Sequence, residues 1–276
     1  MGKAFVYDGF KISNPIKKVG FEKGVIDAPV REYLSKLSVV PSDKQINAIQ
    51  SFYKKLSESG IWETIAFCYP MFGSLKDCAI GLKGDRLTIP NGSLYDNGLN
   101  LAFATDGVGI NKKGILIKNF GNNEYFGDIS LYYNSDYNSY CGDVYCFTKE
   151  INNTEGNDNG CIIGPSWNLT NILFTNLDNN NISQPTSKGV VCYTKSQSNS
   201  IANTYLNGGN KKESQKGQLN NATYLGINTW CNTTNKYHLV NTPLNFFVGS
   251  YAYHTEEQVK VLSEEITKLK EVLFEL

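Results

Sequence analysis

A surplus of charge of either sign is absent from this chain of 276 residues: 26 Lys and Arg balance 26 Asp and Glu. A dedicated nucleic-acid binder carries a basic stripe or face, so the balance argues against that class. Charged residues are only 19% of the chain and hydrophobic residues 41%, which excludes a disordered composition. Long apolar runs are missing too. No window approaches the roughly 18 apolar residues of a membrane span. Met1 to Phe10 has no apolar run of the kind a secretion signal carries.

Histidine is reduced to two residues, His238 and His254, each alone in its stretch. That leaves little material for a Ser/His/Asp or Cys/His arrangement. His254 directly precedes a helix start and reads as a solvated junction residue; His238 reads as lining a loop. Seven cysteines stand at positions 68, 78, 141, 146, 161, 192 and 231, an odd number with no metal-ligand spacing. Reduced, mostly buried thiols are expected, and a zinc site is not. Paired carboxylates are lacking as well. The Glu residues between Trp62 and His254 are Glu63, Glu124, Glu150, Glu155 and Glu213, all scattered. A sandwich glycosidase needs two carboxylates held close together, commonly from alternate positions of one strand. Glycine-rich phosphate loops are also absent. No cofactor is called for. Ca²⁺ is the one ion these loops suit, through two of Asp106, Asp128, Asp136, Asp143 and Asp158, because it prefers hard oxygen ligands.

What the chain has in abundance is asparagine: 32 residues, 30 of them between Asn91 and Asn245. With Tyr 17, Phe 14 and Gly 25, this suits a turn-rich β domain, since Asn and Gly tolerate the positive-φ corners of hairpins. Strand-like runs recur at Gly114–Lys118, Asp128–Tyr133, Asp143–Thr148, Leu169–Asn176, Gly189–Thr194, Thr223–Asn228 and Leu244–Ala252. Asn-Gly and Asp-Gly pairs lie between them, among them Asn91-Gly92, Asp106-Gly107, Asn159-Gly160 and Asn207-Gly208. Many short strands without intervening helices predict a sandwich or barrel over residues 61–253. The polar stretches 151–159 and 207–218 read as long surface loops.

Two helices flank this zone. Ser42 and Gln45 form a capping box ahead of an apolar face of Ile46, Ile49, Phe52, Tyr53 and Leu56, and Gly60 falls at the C-cap. Thr255 and Gln258 repeat the capping box. Val259, Leu262, Ile266, Leu269, Leu273 and Leu276 then follow at alternating spacings of three and four. Such a seam serves either a helix lying on its own domain or a short coiled coil. Residues 1–40 sustain no helical period and hold short apolar pieces broken by Gly and Pro. Uncovered apolar surface of this kind predicts docking on a partner. The domain plan is therefore an anchor segment at 1–40, a helix at 41–60, a β-sandwich at 61–253 and a helix at 254–276.

Aromatic side chains near turn-rich stretches are the candidate binding residues. Trp167, Trp230, Tyr137 and Tyr140 could stack on sugar rings while Asn and Asp bind hydroxyls; the plain alternative is that they fill the core.

The stretch Gly60-Ile61-Trp62, followed by Ala66-Phe67-Cys68-Tyr69-Pro70-Met71-Phe72-Gly73, resembles a segment of tailed-phage and prophage structural proteins. There, an amphipathic helix ends in Gly-Leu-Trp and an aromatic-Tyr-Pro-apolar-Gly stretch follows. Those proteins continue into a concanavalin-A-like (laminin-G-like) jelly roll. They close with a Gly-bearing apolar strand and an amphipathic helix, here Asn245–Ser250 and Thr255–Leu276. The resemblance implies an antiparallel jelly-roll sandwich with an N-terminal and a C-terminal helix. It implies a non-enzymatic virion component (tail, baseplate or head decoration) made in a bacterial cytoplasm. Residues 1–40 would bind other virion proteins, the sandwich would face host-surface glycans, and nucleic acid and membrane would not be partners. Homo-oligomerisation is compatible with it. It also casts Trp62 and Tyr69 as braces between helix and sandwich. A glycoside hydrolase or lyase of the same fold is the alternative, as is a secreted lectin or adhesin.

Overall fold

The computed structural model describes residues 25–87, 116–119, 128–135, 144–147, 162–164, 172–175, 180–183, 189–196, 201–215, 224–227, 229–231, 237–239 and 244–275. In chain order these form α1 (Ala28–Lys36), α2 (Asp43–Glu58), α3 (Ile61–Thr64), β1 (Ile65–Tyr69) and α4 (Leu75–Cys78). Next come β2 (Leu116–Asn119), β3 (Ile129–Ser135), β4 (Val144–Phe147), β5 (Ile162–Gly164), β6 (Ile172–Thr175) and β7 (Asn180–Ser183). They are followed by β8 (Gly189–Lys195), β9 (Ile201–Leu206), β10 (Gly209–Gln215), β11 (Tyr224–Ile227), β12 (Thr229–Cys231), β13 (Tyr237–Leu239), β14 (Leu244–Ser250) and α5 (Glu256–Leu273).

The architecture is mostly antiparallel β with a few helices. One six-stranded sheet has the order β1-β14-β3-β8-β9-β10, a second the order β2-β11-β4-β5-β6-β7, and β12 and β13 form a two-stranded ribbon. Every pairing in these sheets is antiparallel. All seven strand-like runs of the sequence correspond to strands.

Both capping boxes form in full. Ser42 and Thr255 each accept from the backbone N–H of Gln45 and Gln258, and each glutamine side chain accepts from the backbone N–H of its partner. Gly60 takes φ +70° just past α2, the left-handed corner that glycine adopts without a Cβ penalty. The apolar stripes of both helices turn onto the first sheet. Ile49, Phe52 and Leu56 of α2 and Val259, Leu262, Ile266, Leu269 and Leu273 of α5 share one core with Cys68, Tyr132, Val190, Cys192, Phe246 and Val248. Each fully buried Leu, Ile or Phe contributes about 1.5–3 kcal/mol of transfer free energy, so this layer is a large part of the fold's stability. Five seam residues of α5 are consumed inside the chain; Leu276 lies outside the described residues.

Three sequence expectations are corrected. Residues 28–36, expected to lack helix, form α1, and its Val30 and Tyr33 are buried in the same core. Pro29 looked like a breaker but sits in the first turn, where its missing N–H costs nothing. Two short helices also stand inside the expected β zone, α3 ahead of β1 and α4 between β1 and β2. The stretch 207–218 is not one long loop, for β9 and β10 form a hairpin across it. Asn207 and Gly208 both have positive φ, +52° and +73°, as a two-residue primed turn demands. β10 was hidden by its polarity. It is an edge strand whose described residues from Gly209 to Lys211 are exposed, and charged edges resist pairing with other chains.

Candidate functional site

Of the four candidate glycan-binding residues, Trp167, Tyr137 and Tyr140 lie outside the described residues. Trp230 is the middle residue of β12, where its backbone pairs in register with His238 of β13. His238, read from the sequence as lining a loop, thus stands in a strand of the same ribbon. Of the candidate Ca²⁺ ligands, only Asp128 is described; it is exposed and accepts from Ser196 Oγ at 2.9 Å. Among the described residues, no three His, Cys, Asp or Glu side chains gather as metal ligands would.

The most developed polar constellation in the described structure surrounds His254, which is 0% exposed and not a solvated junction residue. It precedes the N-cap Thr255, at the position where a hydrophobic staple usually packs inward. Here an imidazole fills that position, and each ring nitrogen has a hydrogen-bond partner. Nε2 lies 2.8 Å from Thr64 Oγ1 and Nδ1 lies 2.7 Å from the Tyr132 hydroxyl. Thr64 donates its own proton to the Ile61 carbonyl at 2.7 Å. Its oxygen therefore accepts from Nε2–H, which leaves Nδ1 as the acceptor of the Tyr132 hydroxyl proton. Cys192 lies directly opposite Tyr132 in the β3–β8 register. Around this line, Ser130 Oγ donates to the Ala252 carbonyl and accepts from the His254 N–H, while Ser250 Oγ donates to the Thr64 carbonyl.

Burial sets the protonation of these groups. It pushes the His254 imidazole down from 6.5 to about 4 and the Tyr132 and Cys192 protons off only at much higher pH. All three are neutral near pH 7. This buried, neutral Cys–Tyr–His–Thr line ties α3, β3, β8 and the start of α5 together.

The segment from Gly60 to Gly73 forms a second cluster. Trp62 is buried, packs edge-on against Tyr53 of α2 at 4.9 Å and lies under Lys83 Nζ at 5.0 Å. It braces the helix as expected. Tyr69 does not, for it points to the other face of the sheet, stacks on Phe247 and donates its hydroxyl to the Asp85 carbonyl. Chain returning at Leu82 and Lys83 hydrogen-bonds Cys68 and covers the β1 edge. Asp77 fastens this region to the α1–α2 connection by accepting from Ser38 N at 2.7 Å and Ser38 Oγ at 2.6 Å, and from Ser74. Burial alone would push the Asp77 carboxyl up, but the Ser38 and Ser74 hydrogen bonds outweigh it and hold it below the usual carboxylate range. Cys68, Cys78 and Cys192 are buried thiols, and burial pushes the Cys68 thiol up to about 12.

No family model matches the sequence, and no curated protein matches it. Solved structures align over most of the chain at low identity. A Trypanosoma rangeli sialidase in complex with 2,3-difluorosialic acid is 9% identical over 79% of this chain and 38% of its own, with a TM-score of 0.46. Domain 4 of AbnA, a GH43 extracellular arabinanase from Geobacillus stearothermophilus in complex with arabinotriose, is 13% identical over 72% of this chain and 98% of its own, with a TM-score of 0.45. The binding domain of botulinum neurotoxin DC with rat synaptotagmin II is 11% identical over 74% and 52%, with a TM-score of 0.42. The chain thus spans well under half of the sialidase it matches.

Proposed function

We propose that this chain is a non-enzymatic virion component of a tailed phage or prophage, displaying a jelly-roll sandwich that binds glycans. One observation carries the reading. The two stretches that resemble phage structural proteins are about 180 residues apart, yet β1 and β14 lie side by side, with Tyr69 opposite Phe247 and Cys68 opposite Val248. Their flanking helices, α2 and α5, pack against the same sheet. The helix–strand opening and strand–helix closing that define the resemblance therefore meet as one structural unit. The jelly-roll assignment is supported by the path of the chain. It alternates between the two six-stranded sheets, from β1 to β2, back to β3, across to β4–β7, back to β8–β10, across to β11 and home to β14.

Recognition is assigned to the sandwich loops and the β12–β13 ribbon, with Trp167, Trp230, Tyr137 and Tyr140 as stacking platforms. Attachment to other virion proteins is assigned to the N-terminal segment that leads into α1. Absence of turnover is part of the proposal, because His254, Asp77 and the described thiols are all engaged or sealed inside the fold.

A glycan array with the full-length chain tests the ligand class. Binding of one glycan family, lost on Trp167→Ala or Trp230→Ala without a change in melting temperature, is the expected result. Release of reducing ends from a bound polysaccharide, abolished by a single Asp or Glu substitution, would replace the reading with a hydrolase. Mass spectrometry of purified particles from the source culture tests the setting, and absence of the chain from them would overturn it.

A further inference from the structure

We propose that the buried line Cys192–Tyr132–His254–Thr64 is an acid-sensitive latch that holds the start of α5 on the first sheet and releases that helix when His254 gains a proton. The geometry carries the argument. The imidazole already has one donor and one acceptor nitrogen matched to one acceptor and one donor. A second ring proton would land on Nδ1, against a tyrosine hydroxyl that is already donating to it. Tyr132 would have to turn its proton elsewhere, toward Cys192 on β8, while a full positive charge stayed buried.

The surroundings give that charge no partner. From α3 the ring meets Thr64, whose neighbour Glu63 is exposed; from β3 it meets Tyr132 and, through its backbone, Ser130. On β8, Cys192 lies opposite Tyr132 in register, and Tyr205 of β9 lies opposite Cys192. From α5, Glu256 and Glu257 are exposed on the first turn. None of these carboxylates is hydrogen-bonded to the ring, and the positive end of the α5 dipole begins one residue later. Release therefore relieves the charge by bringing His254 to water.

Linkage fixes the direction and size. The imidazole binds its proton at about 4 when latched and near 6.5 when open. The open state is therefore favoured progressively as pH falls from about 6.5 to 4. Between pH 7.5 and pH 5 the opening constant of α5 is expected to rise about 30-fold. Opening uncovers Val259, Leu262, Ile266, Leu269 and Leu273, the face now held against the sheet.

Hydrogen exchange of the full-length chain at pH 7.5 and pH 5, normalised for the intrinsic exchange rate at each pH, tests the latch. Peptides from α5 should lose protection by about that factor; amides of β3, β8 and β14 that exchange through an opening that also frees His254 lose it in step, and those that exchange by local fluctuation keep theirs. His254→Gln can supply the same neutral donor and acceptor, so it should abolish the difference; His238→Gln, at the chain's other histidine, should leave it intact. Should His254→Gln fail to fold, the wild-type chain and His238→Gln still decide. Unchanged α5 protection at pH 5, a loss that persists in His254→Gln, or a difference that disappears with His238→Gln would overturn the proposal.

Discussion

The two faces of the first sheet are both buried, yet they are built differently. Toward the helices, Cys68, Tyr132, Val190, Cys192, Phe246 and Val248 meet the aliphatic seams of α2 and α5. On the opposite face, Phe67, Tyr69 and Phe247 stack as rings, with Phe67 and Phe247 centroids 5.3 Å apart. Gly249 lies beneath them, where a Cβ would meet Phe67 Cζ at 1.9 Å. The helix side tolerates one buried polar line because each member of it is matched; the ring side is fitted so closely that one residue must have no side chain. The comparison teaches that the helices are a wall of the core rather than appendages to it.

The strongest way to break this comparison is to empty the helical wall. Leu262→Ala and Leu269→Ala should each cost about 2–5 kcal/mol, read as a fall in melting temperature with no change in solution mass. Acid should act on the same wall. With His254 depressed to about 4, the folded state refuses a proton that the unfolded chain accepts below 6.5. Stability is then full above about pH 6.5 and falls by about 3 kcal/mol by pH 4, a loss that denaturant melts of wild type and His254→Gln should separate. On the ring face, Gly249→Ala should cost about 1–3 kcal/mol by forcing Phe67 aside, measured by the same melts. Tyr33 sharpens the helix side in the other direction. Its hydroxyl is buried with no hydrogen-bond partner, so Tyr33→Phe should be neutral or raise stability by about 1 kcal/mol. The edge strand belongs to neither face. The Lys211–Glu213 pair is solvent-exposed, and Lys211→Ala should change stability by less than about 0.5 kcal/mol.

These differences also explain what was legible in the sequence. Periodic apolar residues and capping boxes announced α2 and α5 because helix ends and seams are written in local chemistry. β14 and β8 were legible because they are central and apolar. β10 was not, since an edge strand needs no apolar pattern and its Lys-Lys-Glu reads like a loop. α1 was missed because nine residues give only about two and a half turns of period and Pro29 was taken as a stop. The resemblance cast both Trp62 and Tyr69 as braces; Trp62 is one, and Tyr69 is not, because alternation along β1 turns it to the other face. The His254 line depends on residues 64, 132, 192 and 254, brought together by strand register and invisible to any local reading. The recognition residues were legible only as composition, aromatics among asparagines. Of these, the β12–β13 ribbon alone gained a place, Trp230 beside His238.

Whether the helices are a wall or an appendage is decided most directly by native-state hydrogen exchange of the full-length chain at pH 7.5. If α2 and α5 complete the core, the slowest amides of both helices and of β1, β3 and β14 should exchange through one opening event with a common free energy. Protection of α5 lower by a factor of a hundred or more than that of β14 at this pH would contradict it, and would make the helix an element docked on a sheet that is stable without it.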